Sequence, residues 1–395
     1  MPVKPCFIVK NKFQIVQFAP LAEAYPDARY LLIDRKTLRN EFTRQDIASS
    51  RIPITVVDRE TVVKAADGFD VVFFQTVFPG IERLTRPLVS VQYGLAKERH
   101  NYGEWRALAD MNLMFGPYSA RKVEHFSPSH GVGNIKFSGW DPVISKEARL
   151  SAKASIGADP CKPLALYMPT YGELGSFGQL AAPLAGLRGT CDVAIKMHHN
   201  DERAGYGWIA EAQRHGFRLL FSGDADQKRL LAAADVVVSD FSGAIFDAIY
   251  AHVPVVLFQE NPAQKIGIQK FDLSSIEFSR RSELGITCER PEDIGAAIQA
   301  AMDSPAAALN RIRSVRKELF AEGVDSVKRS TDLVEALLRG DLPGLTTPQL
   351  YVRETVQALL SCEAARRGGA LSRLWEKRVL QTLARARRGL AARRK

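Results

Sequence analysis

The segment Asp235–Phe258, DVVVSDFSGAIFDAIYAHVPVVLF, reads as strand, tight turn, helix, turn, strand. Val236–Val238 is an apolar run that ends at Ser239-Asp240. Ser242 and Gly243 then open a helix, a position where serine caps well, and Pro254 precedes a second apolar run, Val255–Phe258. The same alternation extends backwards. Apolar runs at Leu164–Met168, Val193–Met197 and Arg218–Phe221 alternate with helical patterns near Gln179–Leu187, Gly207–His215, Asp226–Ala234 and Ala244–Ala251. An earlier series has strands at Cys6–Val9, Tyr30–Ile33, Ile54–Val57, Asp70–Phe74, Leu88–Gln92, Leu113–Phe115 and Asn134–Phe137, with helical patterns such as Glu60–Ala66 and Glu104–Ala109. Runs rich in Val, Ile and Phe suit strands buried on both faces. Two successive series of this kind predict an α/β protein of two doubly wound, parallel-sheet domains.

The proline- and glycine-punctuated stretch Trp140–Lys162 is the natural joint. The expected division is residues 1–145 as a first Rossmann-like domain, 146–340 as a second (acceptor and nucleotide-donor sides respectively, by the resemblance given below) and 341–395 as a helical, basic tail. After residue 290 the pattern is all helical: Pro291–Met302, Pro305–Phe320, Ser326–Arg339, Thr347–Cys362 and Leu371–Arg394.

Composition narrows the class. The chain has 395 residues, 46% hydrophobic and 25% charged, which are globular values. No apolar stretch approaches the roughly 20 residues needed to span a bilayer, and Met1–Phe13 lacks the apolar core of a signal peptide. A cytoplasmic protein is expected. The cysteines, Cys6, Cys161, Cys191, Cys288 and Cys362, are scattered and odd in number, which fits reduced thiols and no zinc site. The net charge of +10 resides in residues 366–395, where eleven Lys/Arg face one acid, Glu376, so the preceding residues sum to about zero. In Leu371–Lys395, Leu371, Leu374, Trp375, Val379, Leu383 and Leu390 recur at helical spacing among Arg and Lys. Such a basic amphipathic helix suits an anionic membrane surface, with peripheral attachment at the inner face of the cell membrane and no specific nucleic acid as partner.

Chemistry-bearing residues gather at strand ends. The exposed N–H groups of the helix that starts at Ser242-Gly243 form an anion site, and Asp247 is a lone acid able to take a ribose or glycerol hydroxyl. The Gly-rich loop after Leu164–Met168 carries Pro169-Thr170. In VAIKMHHN, Val193–Asn200, Lys196 is a point charge suited to phosphate, and His198 or His199 a proton shuttle or phosphate ligand. In VSVQYGLAKERHNY, Val89–Tyr102, the strand end Tyr93-Gly94 is followed by Lys97, Glu98, Arg99 and His100, where an acceptor and a general base would stand. The glycines flanking Asn134–Phe137 mark a hinge or a loop facing the cleft.

Ser239-Asp240-Phe241-Ser242-Gly243 with Phe246-Asp247 and Pro254–Phe258, preceded by Met168-Pro169-Thr170-Tyr171 and Lys196-Met197-His198, resembles the CDP-glycerol glycerophosphotransferase family of teichoic acid and capsule biosynthesis. Glu322-Gly323, Ser326 and Arg329 echo its late motif, so the resemblance spans roughly residues 85–335. It implies a GT-B fold, a cytidine-diphosphate-linked alditol as donor, a polymer or lipid-linked acceptor, and no metal or other cofactor. It implies Lys196 and His198 on the donor phosphates, and Ser242, Gly243 and Asp247 at the diphosphate and glycerol end. Tyr93, Gly94, Thr170, Ser239 and Asp240 join them as substrate-binding residues. One departure stands out. Where the family has Trp-His-Gly, with the histidine as base, this chain has Gln92-Tyr93-Gly94. A neutral tyrosine is a poor base at pH 7, so either His100 or Glu98 takes the role, or the reaction is that of a GT-B glycosyltransferase using a sugar nucleotide.

Overall fold

The computed structural model describes residues 2–35, 38–140, 145–172, 175–205, 207–259 and 273–366. The expected helix Leu371–Arg394, and with it nearly all of the basic tail, lies outside the described residues.

Among the described residues, thirteen strands fall into two sheets. The first contains β1 (Pro5–Val9), β2 (Arg29–Ile33), β3 (Ile54–Val57), β4 (Val71–Phe74), β5 (Leu88–Val91), β6 (Met111–Met114) and β7 (Ser129–Gly131), in the order β3-β2-β1-β4-β5-β6-β7. The second contains β8 (Leu164–Tyr167), β9 (Asp192–Lys196), β10 (Leu219–Phe221), β11 (Val236–Ser239), β12 (Val255–Phe258) and β13 (Ile286–Cys288), in the order β10-β9-β8-β11-β12-β13. Every pairing is parallel; in the second sheet Val237 lies opposite Val255 on one side and Leu166 on the other. The apolar runs explain this arrangement: β1, β4, β8, β11 and β12 are buried along their whole length, with helices covering both faces.

In each sheet the strand order reverses direction at one place, β1/β4 in the first and β8/β11 in the second. That is where an open parallel sheet leaves a crevice beyond its carboxyl ends. The two crevices face each other across the gap between the lobes.

Three expectations shift. Asn134–Phe137 is not a strand; Ile135–Phe137 forms a 3₁₀ turn, and its apolar alternation is met by Phe137 stacking on Tyr250 at 4.9 Å. The edge strand is instead Ser129–Gly131, which has no buried residue and no β-branched side chain to announce it. The short strand Ile286–Cys288 on the far edge of the second sheet was also not anticipated.

The third shift concerns the lobe boundary. The helix Pro305–Leu319 leaves the second lobe, and Ala321 N–H donates to the Phe115 carbonyl at 2.8 Å in the first. Gly116 permits this crossing: a Cβ there would lie 2.5 Å from the Leu319 carbonyl oxygen. The helix Ser326–Arg339 then packs on the first lobe, burying Val334 among Phe7, Phe18 and Tyr30. The helix over residues 347–366 does the same, with Arg353 donating to the Ala107 carbonyl and Asp110 Oδ1, both at 2.8 Å. The second lobe therefore ends near residue 320, not 340, and residues 326–366 brace the first lobe.

Candidate functional site between the lobes

A cavity of about 1770 Å³ occupies the gap and touches both switch points. A single small-molecule site usually takes about 300–1,000 Å³, so there is room here for two reactants. Its second-lobe wall includes Met168, Tyr171, Lys196, His198, Ser242, Gly243 and Asp247; its first-lobe wall includes Lys10, Phe13, Tyr93, Gly94, Lys97 and His100.

On the second-lobe side, Lys196 leaves the end of β9 and donates to the Gly223 carbonyl at 2.5 Å. Gly223 allows that loop to press on the next turn, since a Cβ there would meet His199 Cα at 2.5 Å. His198 Nδ1 accepts the Asn200 backbone N–H at 3.1 Å. An accepting Nδ1 carries no proton, so the neutral ring holds its proton on Nε2. The ring packs on Tyr171 at 4.7 Å and stacks on His199 at 4.3 Å. Burial, with like charge at His199, Lys97 and Lys196, pushes its pKa down to about 2. His198 is therefore a neutral hydrogen-bond donor at physiological pH and not an acid held in reserve.

Ser242 and Gly243 precede the helix Ala244–Tyr250, and Ser242 Oγ accepts the Ala244 N–H at 3.3 Å. This end is open: a Cβ added to Gly243 would have Ala96 Cβ of the first lobe as its nearest neighbour, at 3.9 Å. Asp247, in contrast, is already engaged. Its Oδ1 pairs with Lys136 Nζ of the first lobe at 2.8 Å, and its Oδ2 accepts from Gln227 Nε2 at 2.9 Å.

Ser239, Asp240 and Thr170 lie beneath the cavity wall and do not line it, which corrects their expected direct contact with substrate. Ser239 Oγ donates to the Met168 carbonyl at 2.7 Å. Asp240 accepts from Thr170 N–H at 2.8 Å, Ser176 N–H at 2.9 Å, Ser176 Oγ at 2.8 Å and Phe241 N–H at 2.6 Å. A carboxylate so fully satisfied acts as a structural tie between the loops after β8 and β11.

On the first-lobe side, Tyr93 extends from the end of β5, edge-on to Phe13 at 6.2 Å and to His100 at 6.3 Å. Burial raises its phenol to about 12. His100 is shifted the other way: burial and the charges of Lys97 and Lys10 lower its pKa below the ordinary value, leaving a neutral imidazole at pH 7. Lys10, at the β1/β4 switch point, donates to Thr76 Oγ1 at 3.0 Å, and burial with the like charges of Arg35 and Arg59 lowers it to about 8. Beside the Lys136–Asp247 pair, ring contacts also cross the cleft: His199 stacks on Phe13 at 5.5 Å, and Lys97 Nζ lies 4.8 Å from the Tyr171 ring centre.

Glu98 does not face the cavity, which corrects its place as the alternative base. Its carboxylate accepts from Tyr118 OH, from Lys122 Nζ at 2.9 Å and from the Ile276 N–H of the other lobe at 3.1 Å. Lys10 and Lys136 were not singled out from the sequence. Lys10 ends a strand at the switch point, a signal that was legible; Lys136 sat inside what reads as a strand. Among the described residues, no group of three or more His, Cys, Asp or Glu side chains is placed to hold a metal ion, and no helix is long and apolar enough to cross a membrane.

Two parallel-sheet lobes facing across such a cavity are the GT-B architecture. Solved structures with this fold include the wall teichoic acid polymerase TagF (TM-score 0.59, 14% identity, 86% of this chain and 89% of that one), a TagF variant soaked with CDPG (0.57, 12%, 86% and 90%) and Anabaena HepE in complex with UDP and glucose (0.52, 13%, 85% and 99%). Residues 144–265 match the model of the CDP-Glycerol:Poly(glycerophosphate) glycerophosphotransferase family. No curated protein matches the chain in sequence.

Proposed function

We propose that the protein transfers a glycerol-phosphate, or similar alditol-phosphate, unit from a CDP-linked donor to a hydroxyl of a cell-surface polymer or lipid-linked acceptor. The observation that carries this reading is that the family-matched residues form one wall of a cavity large enough for two reactants, while the other wall presents a neutral histidine. The donor diphosphate lies against Lys196, His198 Nε2–H and the backbone at Ser242-Gly243. The acceptor hydroxyl lies on the first-lobe side, near Tyr93, Gly94 and His100. His100 takes the hydroxyl proton as the acceptor oxygen bonds to the β-phosphorus. The bond from that phosphorus to the bridging oxygen breaks, and CMP leaves with the electron pair. Lys196 and His198 stabilise the charge that gathers on the transferring and leaving oxygens. Tyr93, protonated throughout, serves as hydrogen-bond donor and wall.

The tail, residues 366–395, carries the charge that would hold the enzyme on an anionic membrane beside a lipid-linked acceptor, at the cytoplasmic face. A donor screen tests the reaction: CMP release from CDP-glycerol or CDP-ribitol, dependent on acceptor, is expected. Consumption of UDP-, GDP- or CMP-sugars with CDP-alditols left intact would refute it in favour of the glycosyltransferase reading, which Tyr93 at the family's histidine position favours.

A further inference from the structure

His100 stands on a short helix, Glu98–Asn101, whose position is fixed from the opposite lobe. Glu277 is fully buried in the second lobe, and its Oε1 accepts the Lys97 N–H at 2.6 Å. Next to it, Ser275 Oγ accepts the Glu98 N–H at 3.2 Å, and the Ile276 N–H donates to Glu98 Oε1 at 3.1 Å. Lys97 in turn holds His100 through the backbone: its carbonyl accepts the His100 N–H at 2.9 Å and the Asn101 N–H at 3.1 Å. One residue, Lys97, thus links the Glu277 carboxyl to the histidine's own backbone. Lys97 also has φ 61 and ψ 57, the left-handed region that side chains with a Cβ disfavour. Such a conformation persists only when its surroundings impose it, and Glu277 grips the N–H of that residue.

We infer that Glu277 is a positioning residue: through the Lys97 N–H, the donor lobe sets where the His100 imidazole stands, so the base is correctly placed only when the two lobes hold this arrangement. This rests on the reading of His100 as the base. A purely structural contact between lobes would not need a carboxyl group, since packed apolar side chains serve as well at less desolvation cost. Here a carboxyl stands at a place where, among the described residues, its Oε2 has no hydrogen-bond partner. The charged groups around it are Lys97 and Glu98 from the first lobe and Arg281 and Asp240 from the second; Arg281 donates to the Glu277 and Asp240 carbonyls at 3.0 and 2.8 Å. Burial, with Glu98 nearby, raises Glu277 to about 7. Ionisation strengthens the hydrogen bond it accepts, so the grip on Lys97 tightens as pH rises through that value.

The test compares Glu277→Ala, Glu277→Gln and His100→Ala in acceptor-dependent CMP release from CDP-glycerol, with donor Kd measured by calorimetry. Glu277→Ala is expected to lower kcat by about 10–100-fold, the cost of a misplaced reacting group, with donor Kd within about threefold of wild type. Glu277→Gln keeps an acceptor oxygen for the Lys97 N–H, but a neutral one like that of the protonated acid, so its kcat should lie between that of Glu277→Ala and that of wild type. It should also remove the acid limb of kcat near pH 7, leaving only the lower limb of His100. An unchanged kcat in Glu277→Ala, or a Glu277→Gln pH profile superimposed on wild type, overturns the proposal. Ser275→Ala, which removes only the cap on Glu98 N–H, substitutes for Glu277→Ala should that variant not fold; its kcat must fall with donor Kd unchanged, and an unaltered kcat counts against the proposal. Wild-type turnover in His100→Ala overturns the base assignment and this proposal together. An inactive His100→Ala beside a fully active Glu277→Ala overturns this proposal alone.

Discussion

Replacing His198 with alanine separates a catalytic role from a structural one. Among the described residues, the imidazole accepts one hydrogen bond, from the Asn200 N–H to Nδ1 at 3.1 Å, and makes ring contacts with Tyr171 and His199. Losing the bond costs about 1 kcal/mol, and the ring contacts about another 0.5–1.5 kcal/mol, so folding stability at pH 7.5 should drop by about 1–2 kcal/mol. Under the proposed function the transferring phosphate would lose a hydrogen-bond donor, for which the precedent is about 10²–10³ in kcat. Glutamine at this position also carries an N–H donor and should recover part of the rate. The pH dependence has a definite sign. Because the folded-state pKa of His198 lies below its ordinary value, the folded protein binds fewer protons there than the unfolded chain, and wild type loses stability as pH falls through 6.5. The alanine variant has no such penalty, so its deficit should shrink between pH 7.5 and pH 5. Urea titrations at both pH values and initial rates of CMP release measure the two effects. A folded His198→Ala enzyme with kcat within about threefold of wild type would refute the role assigned to Nε2–H.

Four further outcomes are expected. Lys136→Met leaves Asp247 without its cation in a half-buried setting, and should destabilise the protein by about 3 kcal/mol in urea titration, whereas Asp247→Leu in the same background should recover part of it. Gly116→Ala forces a methyl group against the Leu319 and Phe320 backbone, at 2.5 and 2.7 Å, and should cost about 1–3 kcal/mol, read as a lowered melting temperature. Glu277 with its raised pKa holds a proton in the folded state that the unfolded chain releases, so wild type loses stability as pH rises from about 4.5 to about 7. Glu277→Gln should therefore gain up to about 3 kcal/mol over wild type at pH 8 and nothing at pH 4, by melting curves at each pH. Full-length protein should float with phosphatidylglycerol vesicles at moderate salt and a chain ending at residue 365 should not; equal flotation counts against the tail as anchor.

The fold was legible because its central strands are uninterrupted apolar runs. Val236–Ser239 and Val255–Phe258 could be read within a residue of their observed ends, and so could the helix between them. Of the edge strands, Ile54–Val57 and Leu219–Phe221 could be read, but Ser129–Gly131 and Ile286–Cys288 could not, since they are short and little buried. The site was legible to the extent that strand ends face the crevice: Lys196, His198, Tyr93 and Gly243 all line the cavity. Which strand-end polar groups turn inward was not, because Ser239 and Asp240 serve partners around 70 residues away, with Asp240 bonded to Thr170 and Ser176. Nor does local pattern reveal pairs that cross between lobes, such as Lys136 with Asp247 or Lys97 with Glu277. Glu98 illustrates the limit: two residues before His100 on the same short helix, it faces the opposite way, into Tyr118 and Lys122.

Under the proposed function, Tyr93 and His100 together would account for how a base is kept where the resembled family has a histidine and this chain has Tyr93. The tyrosine occupies the strand end and its phenol, held near 12 by burial, stays protonated at any pH the enzyme meets. The next imidazole, seven residues on, lies edge-on to that phenol at 6.3 Å and lines the same cavity. Burial, with the charges of its neighbours Lys97 and Lys10, lowers its pKa, which has two opposing effects: more of it is neutral at pH 7, and each neutral ring is a weaker base. The balance favours activity as long as the anionic acceptor-donor pair is bound, because bound phosphate offsets the lysine charge and restores basicity at the moment the proton must move. In the free enzyme the acid limb of kcat/KM from His100 should therefore lie below pH 6.5, while in the ternary complex the corresponding limb of kcat should lie higher. Coincident limbs, or a free-enzyme limb above the bound one, would show that the lysines do not control this histidine.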